Sequence, residues 1–216
     1  AFGARDVNIL TGTQTLLLVY STAQTTGTVL YTALAYNPTA HSWTKQTTQT
    51  VFSQANFVGS NPAIAVDSAG AYWCGFTVEN LTTQQYQLQM AYRAPKTTQW
   101  TNTGLVFGPT TASLQHSARP VSYPGGVGMV YQVGQTMYWA YRLTGWPITQ
   151  SWTASTLFTG LPPYSEDPYD SHYSIVADSH GNLHLAFITN KQLMYMRYSA
   201  TSGTWGAARA LSSSTI

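Results

Sequence analysis

The sequence predicts an all-β fold: a β-propeller of four repeated blades, each a four-stranded antiparallel sheet. Three landmarks recur in the same order in the four repeats. The second strand of each repeat ends in an aromatic residue, at steps of 56, 55 and 56 residues: Tyr20, Phe76, Tyr131 and Phe187. A tryptophan opens each fourth strand: Trp43, Trp100, Trp152 and Trp205. The third strands end in a short motif containing tyrosine: 35–37, 91–93, 140–142 and 196–198. One supersecondary unit per repeat, stacked on its neighbours to bury its faces, is typical of a propeller.

The fourth repeat shows the strand pattern most clearly. Strands are predicted at 174–177, 183–189 and 193–198, and a last strand begins at Thr204. Runs of five to seven β-forming residues, separated by Gly, Asn, Asp and Ser, are typical of an antiparallel meander. In the first repeat the same pattern predicts strands at 15–20, 29–36 and 43–51. We therefore expect blades over 6–52, 62–107, 119–157 and 172–211 in one domain covering 1–216.

The repeat leaves three possibilities for the completed ring. The four blades close edge to edge in a single chain, or they are part of a larger propeller. In the third possibility two chains assemble, because an open ring exposes sheet edges that can pair with another copy. We favour closure by the single chain.

Composition excludes several classes of function. Charged residues make up only 7% of the 216 residues and the formal charge is +2, without any Lys/Arg run. Nucleic acid is therefore not an expected partner. No apolar stretch is long enough to span a bilayer. The surface is expected to be rich in Thr, Ser, Gln and Asn, a composition that we take to indicate an extracellular, secreted protein.

Turn residues and the single cysteine are predicted to be structural. Asp67 and Asp178 each begin an Asp-Ser-x-Gly turn, in which the aspartate can accept hydrogen bonds from nearby backbone groups. Cys74 lies within an apolar strand and is expected to be a small buried side chain rather than a nucleophile. The four recurring tryptophans are expected to have structural roles.

These motifs resemble the sialidase-like propellers, the class built from bacterial neuraminidase repeats. The likeness covers nearly the whole chain and lies in the Asp-Ser-x-Gly turns, the Tyr-Arg strand ends and the segment 199–205, Ser-Ala-Thr-Ser-Gly-Thr-Trp. That segment is similar to the Asp-box of the class, with Thr201 in place of its aspartate. The resemblance implies a propeller fold. It also implies an active site with three arginines, a Tyr–Glu nucleophile pair and an acidic Asp, of which only Arg5 and Arg119 fall at the expected position.

Four polar residues are predicted to surround one mouth of the propeller. Aligned on the aromatic landmark, the entrances of the four inner strands carry two arginines, an amide and an imidazole: Arg5, Asn61, Arg119 and His172. Such a ring would suit a carboxylate, a phosphate or a polyhydroxylated ligand. The alternative is that these residues cap strand ends and bind water or neighbouring carbonyl groups.

The connection 160–172 carries three of the seven carboxylates of the chain. Glu166 with Asp167 or Asp170 could act as the acid and base of a glycosidase, with Tyr164 as a nucleophile. The same three acids could instead hold Ca²⁺ through hard oxygen ligands. A third interpretation is a rigid solvated loop in which Asp170 orients His172.

One tryptophan has no counterpart in the other repeats. Trp146 lies in an inserted turn between the third and fourth strands of the third repeat, on the rim opposite the four polar residues. An unrepeated tryptophan on a loop is a candidate for stacking on a sugar ring or a partner.

We therefore expect a secreted, lectin-like binding module that recognises glycans or another polar or anionic ligand at the propeller mouth, without catalysis and without an obligatory cofactor. The first alternative is a sialidase-like glycoside hydrolase that uses the loop 160–172. The second is a structural or assembly domain that binds protein partners, including further copies of itself or other parts of a parent protein.

Overall fold

A computed structural model describes residues 7–11, 14–22, 27–111, 118–162, 173–189 and 192–211, and only the backbone of 7–11. These residues form four antiparallel sheets in chain order, and none of them lies in a helix. The alternation of β-branched or aromatic residues with polar ones explains this all-β content, since such residues fit a pleated, half-buried surface.

Each sheet is a meander whose strands follow one another in space as they do in the chain. The first sheet contains β1 (Val7–Thr11), β2 (Thr15–Ser21), β3 (Val29–Asn37), β4 (Ser42–Lys45) and β5 (Gln49–Phe52). The second contains β6 (Phe57–Val66), β7 (Tyr72–Asn80), β8 (Gln85–Arg93) and β9 (Thr101–Thr111). The third contains β10 (Arg119–Tyr123), β11 (Gly126–Val133), β12 (Thr136–Leu143) and β13 (Thr153–Thr159). The fourth contains β14 (Tyr173–Ala177), β15 (Leu183–Thr189), β16 (Gln192–Ser199), β17 (Thr204–Trp205) and β18 (Arg209–Ala210).

The strand bounds differ from the sequence prediction in two places. The strand predicted at 43–51 is divided into β4 and β5, which both pair with β3, and β17 and β18 share β16 in the same way. The second sheet begins at Phe57, five residues before the predicted start of its blade at 62. The reason is that β6 continues through an irregularity in its pairing at 61–62, where Asn61 adopts a positive φ of 48°.

The aromatic landmarks occupy equivalent positions in the four sheets. Each lies on the second strand, opposite a residue of the third strand; the pairs are Tyr20 with Leu30, Phe76 with Gln89, Tyr131 with Tyr138 and Phe187 with Met194. The first residue of β1 and the first residue of β14 are similarly placed, because Val7 pairs with Tyr20 and Tyr173 pairs with Phe187. The repeat seen in the sequence is therefore a repeat of structure.

Three apolar cores join the sheets face to face in chain order. The first core packs residues such as Val19 and Phe52 against Phe76, and the second packs Trp73 and Met90 of the second sheet on the third. The third core joins the third sheet to the fourth through Trp139, Leu185 and their neighbours. Among the described residues, no comparable core joins the fourth sheet back to the first. The structure therefore shows four stacked propeller sheets, and ring closure by this chain remains a prediction.

The fourth sheet has one open face. Val176 is 57% exposed and Ile188 is 37% exposed, whereas Leu183, Leu185 and Phe187 on the opposite face are buried. Because side chains alternate between the two faces of a strand, one face of this sheet packs on the third sheet and the other faces outward. Within the described residues, no helix has the length and apolarity needed to cross a membrane.

Candidate ligand-binding site

The inner strands of three sheets surround a cavity of about 530 Å³. It is lined by consecutive residues of β6, β10 and β14, namely 63–66, 119–122 and 173–177. Consecutive residues line it because each strand is the inner edge of its sheet and turns this edge toward the cavity. An edge strand turns backbone N–H and C=O groups toward the space beside its sheet, so the lining contains both donors and acceptors. We call this space the axial cavity.

The side chains of the axial cavity are mostly small and apolar, with few polar groups. Among the described residues that line it, Arg119 is the only one with a charged side chain, and Ser122, Tyr173 and Ser174 add hydroxyl groups. Arg119 is partly buried at the start of β10. A guanidinium in such surroundings is well suited to an anionic or polyhydroxylated group, because it donates hydrogen bonds in a fixed fork.

Of the four residues predicted to surround the mouth, the structure describes Asn61 and Arg119. Arg119 pairs with Val130 in the third sheet. In the second sheet the equivalent pair is Ala63 with Gly75, so Arg119 corresponds to Ala63. Arg119 is therefore two residues further into its strand than Asn61, a displacement that counting from the aromatic landmark did not anticipate. Arg5 and His172 lie outside the described residues, so the ring of four stays a prediction.

The predicted acidic loop also lies outside the described residues. Tyr164, Glu166, Asp167 and Asp170 belong to the segment 163–172, which immediately precedes Tyr173 of the cavity lining. The proposals that this loop binds Ca²⁺ or performs catalysis therefore remain untested. In the described part of the chain, no group of three or more His, Cys, Asp or Glu side chains is arranged to hold a metal ion.

Asp67 is a turn former, as predicted. Its Oδ1 accepts the backbone N–H groups of Ala69 and Ala71 at 3.0 and 2.9 Å, and its Oδ2 accepts the indole N–H of Trp73 at 2.8 Å. These bonds engage both oxygens in holding the turn and the neighbouring strand. Asp67 is thus a structural residue.

Asp178 plays the same part in the fourth sheet, with a different partner. Its Oδ1 accepts the backbone N–H groups of His180 and Asn182, and its Oδ2 lies 2.8 Å from Asn182 Nδ2 and 3.1 Å from His184 Nε2. The Asn182 side chain, followed by His184, holds the pKa of this carboxyl well below its usual range. His184 stands six residues after Asp178, as Trp73 stands six after Asp67. The Nδ1 of His184 is 2.7 Å from the hydroxyl of Tyr195. Hydrogen bonds therefore link the side chains of Asp178, His184 and Tyr195 in series on this sheet.

Two other predicted residues have clear surroundings. Cys74 is buried, and burial raises the pKa of its thiol, which confirms that it is an inert core residue. Trp146 is partly exposed, and its carbonyl oxygen accepts a hydrogen bond from the Arg142 guanidinium. Two residues before Trp146, the backbone N–H of Thr144 donates a hydrogen bond to Gly125 O in the turn between β10 and β11. Trp146 therefore lies at the end of the sheet opposite the start of β10.

The recurring tryptophans differ more in exposure than their repetition suggests. Trp152 is buried at 8% exposure, whereas Trp43 is 48% exposed and packs against Tyr36. Trp100 lines a second cavity, at the outer edge of the first and second sheets. The same structural role was predicted for all four, because a repeat places residues in a sheet and does not determine what covers them.

Comparisons with known proteins identify the fold. No protein-family model matches the chain, and no curated protein matches it. An endo-arabinanase from Bacillus licheniformis is similar in structure, with 15% identity, a TM-score of 0.54, and 99% of this chain and 81% of that chain covered. An exo-β-1,3-galactanase from Phanerochaete chrysosporium has 12% identity and a TM-score of 0.58, covering 96% of this chain and 50% of that chain. A sialidase from Trypanosoma rangeli has 10% identity and a TM-score of 0.61, covering 90% of this chain and 37% of that chain. With its four antiparallel sheets, this chain has an all-β propeller fold similar to that of these proteins.

Proposed function

We propose that this protein is a secreted, non-catalytic module that binds a glycan or another polar, anionic ligand in the axial cavity. The observation that carries the proposal is that a cavity of about 530 Å³ has a single guanidinium, that of Arg119, among its described lining. This volume lies within the range of small-molecule sites, which is about 300–1,000 Å³.

The chemistry of the lining favours binding over turnover. A glycosidase needs two carboxyl groups that flank the scissile bond. Asp67, Glu79 and Asp178 are the acids of the described residues, and none of them lies in the cavity lining. Asp67 and Asp178 are in addition held in turns by several hydrogen bonds. The lining supplies what recognition requires: a charged fork, three hydroxyl groups and the backbone edges of three strands.

The binding experiment compares two arginines. Titration of sialyllactose and of oligogalacturonides into the protein by calorimetry is expected to show binding that Arg119→Ala weakens about 10-fold to 100-fold, because a hydrogen bond to a charged group contributes about 1.5–3 kcal/mol. The matched control is Arg197→Ala, which removes an exposed arginine from β16 of the fourth sheet. Equal affinity of Arg119→Ala and the parent protein would place the ligand elsewhere.

A glycoside hydrolase is the second candidate. The observation that favours it is the similarity in fold to proteins named as an endo-arabinanase, an exo-β-1,3-galactanase and a sialidase. In this case Glu166, Asp167 and Asp170 would supply the acid and base, with Tyr164 as a possible nucleophile in place of a carboxylate. Fluorogenic arabinosides, galactosides and sialosides test it directly. Turnover that Glu166→Gln abolishes would replace the binding proposal with this one.

Assembly is the third candidate, with a second copy of the chain as the partner. The open face of the fourth sheet, with Val176 and Ile188 exposed, is the observation that favours it. Light scattering is expected to give twice the mass of the chain if this face pairs two copies, and Ile188→Glu, which lies outside the axial cavity, is then expected to restore the monomer mass. A monomer at high concentration that still binds glycans would exclude this function.

A further inference from the structure

We infer that the outer edge of the first and second sheets carries a separate binding groove for a neutral oligosaccharide. The groove has a volume of about 540 Å³ and is lined by six residues from two chain segments: Thr47, Gln49, Thr50, Thr98, Gln99 and Trp100. We call it the glutamine groove. It is independent of the axial cavity, which is lined by the inner strands.

The orientation of the Gln49 amide is fixed by its partners. Its Oε1 accepts a hydrogen bond from Arg93 Nη1 at 2.9 Å and another from Trp100 Nε1 at 3.2 Å. A guanidinium and an indole N–H can only donate, so the oxygen of the amide must face them. The amide nitrogen of Gln49 therefore points away from this pair, and no described residue accepts a hydrogen bond from it. The structure holds two N–H donors in place at the groove before any ligand arrives.

The partners of Gln49 are themselves immobilised. The Arg93 guanidinium is buried, with its carbon 3.6 Å from the ring centroid of Tyr72 and 4.6 Å from that of Tyr31. The Trp100 indole packs on Tyr31 with ring centroids 5.6 Å apart. A donor supported in this way loses little conformational entropy on binding, which is the advantage of a preorganised site.

The chemistry of the lining identifies the class of ligand. Three threonine hydroxyls and two amides can donate and accept hydrogen bonds, and the partly exposed Trp100 offers an apolar ring surface. None of the described lining residues carries a charge. A sugar combines the matching features, since its hydroxyls both donate and accept while its C–H groups pack on aromatic rings. Because the lining carries no charged side chain and the Arg93 guanidinium is buried behind Gln49, the ligand is a neutral saccharide rather than an anionic one.

The experiment uses the intact protein and a panel of neutral trisaccharides made of arabinose, galactose, xylose, mannose or glucose. Calorimetry is expected to find at least one that binds, and Gln49→Glu is expected to weaken it about tenfold. This substitution keeps an acceptor for Arg93 and Trp100 but removes both outward donors. The matched control is Gln89→Glu, which makes the same change at a glutamine that accepts from Asn102 Nδ2 on the second sheet. Arg119→Ala is also expected to leave this affinity within twofold.

A second readout reports the place of binding. In an amide correlation spectrum, the side-chain NH₂ resonances of Gln49 are expected to shift on titration, while those of Gln89 stay in place. The inference is overturned if no trisaccharide of the panel binds with a Kd below ~10 mM, or if Gln49→Glu binds as the parent protein does. Loss of binding in Arg119→Ala together with an unchanged Gln49→Glu would assign the neutral sugar to the axial cavity instead.

Discussion

Arg93 and Arg142 occupy the same position in β8 and β12, opposite Tyr72 and Val127. Both belong to the motifs that end the third strands, at 91–93 and 140–142, and the sequence could not indicate a role for them. In the structure each arginine packs against the preceding sheet: Arg93 over Tyr31, and Arg142 with its guanidinium carbon 4.6 Å from the Trp73 ring centroid. Cation–π contacts of this kind are worth about 0.5–2 kcal/mol, so the two residues help to hold neighbouring sheets together.

At the same scale, Asp178 makes the stability of the fold depend on pH. Its pKa in the folded protein lies well below the ordinary value of about 3.9 that it regains on unfolding. The unfolded state therefore binds the proton first, and the stability that Asp178 contributes is present above about pH 5 and declines as the pH falls below that. We expect Asp178→Asn to reduce the loss of stability between pH 5 and pH 3, measured by urea denaturation. Glu79→Gln, which removes a charge outside this network, is the control, and a steeper pH dependence in Asp178→Asn would contradict the prediction.

At the scale of the element, the two Asp-Ser-x-Gly turns show which local signals the sequence carries reliably. Gly70 and Gly181 adopt φ values of 81° and 79°, a conformation that favours glycine. In both turns the aspartate carbonyl accepts the glycine N–H, as expected for a tight reversal between the first and second strands. Hydrogen bonds within five residues determine this geometry, which is why the sequence predicted it. The division of the first sheet's last strand into β4 and β5 depends on pairing with β3 and was not predictable locally.

The two turns differ in what surrounds their glycines. A Cβ at Gly181 would lie 2.3 Å from Pro124 Cγ of the third sheet, whereas a Cβ at Gly70 would meet only Pro95 Cβ at 4.0 Å. We expect Gly70→Ala to reduce the free energy of unfolding by about 1 kcal/mol through backbone strain alone. Gly181→Ala is expected to cost about 2–3 kcal/mol, because the contact between sheets must also move. Chemical denaturation measures the free energy of unfolding of both variants. An equal decrease in the two would show that the contact with Pro124 adds nothing to the cost at Gly181.

At the scale of the whole molecule, the sheets are unequal because, among the described residues, the two central sheets each share two apolar cores and the outer sheets share one. The second and third sheets have neighbours on both faces, and β7 and β11 are buried along most of their length. Among the described residues, the fourth sheet has an apolar core on one side only, and in β14 Tyr173 is buried whereas Ser174, Val176 and Ala177 are exposed. Strands with solvent on one face open more readily than strands in the centre of a stack.

Hydrogen exchange followed by mass spectrometry is expected to reveal this order. Peptides from β7 and β11 should exchange most slowly, and peptides from β14 should exchange at least tenfold faster. The reason is that the outer sheet can separate from the stack without disrupting the central cores. Equal protection of β14 and β11 would mean that the open face is covered in solution, and repeating the measurement at low protein concentration would distinguish a second copy from the chain itself.

Most strands, the Asp-Ser-x-Gly turns and the fourfold repeat could be predicted from the sequence, because period-two alternation and turn chemistry act over a few residues at a time. It also placed Arg119 at the start of an inner strand, and the structure brings that residue into the axial cavity. Only the tertiary structure decided how deeply equivalent residues are buried, as the contrast between Trp43 and Trp152 shows. The glutamine groove depends on the same level of structure, since Gln49 and Trp100 are 51 residues apart and meet because two sheets pack at one angle and register. Burial and contact across sheets are set by packing, which no local pattern encodes.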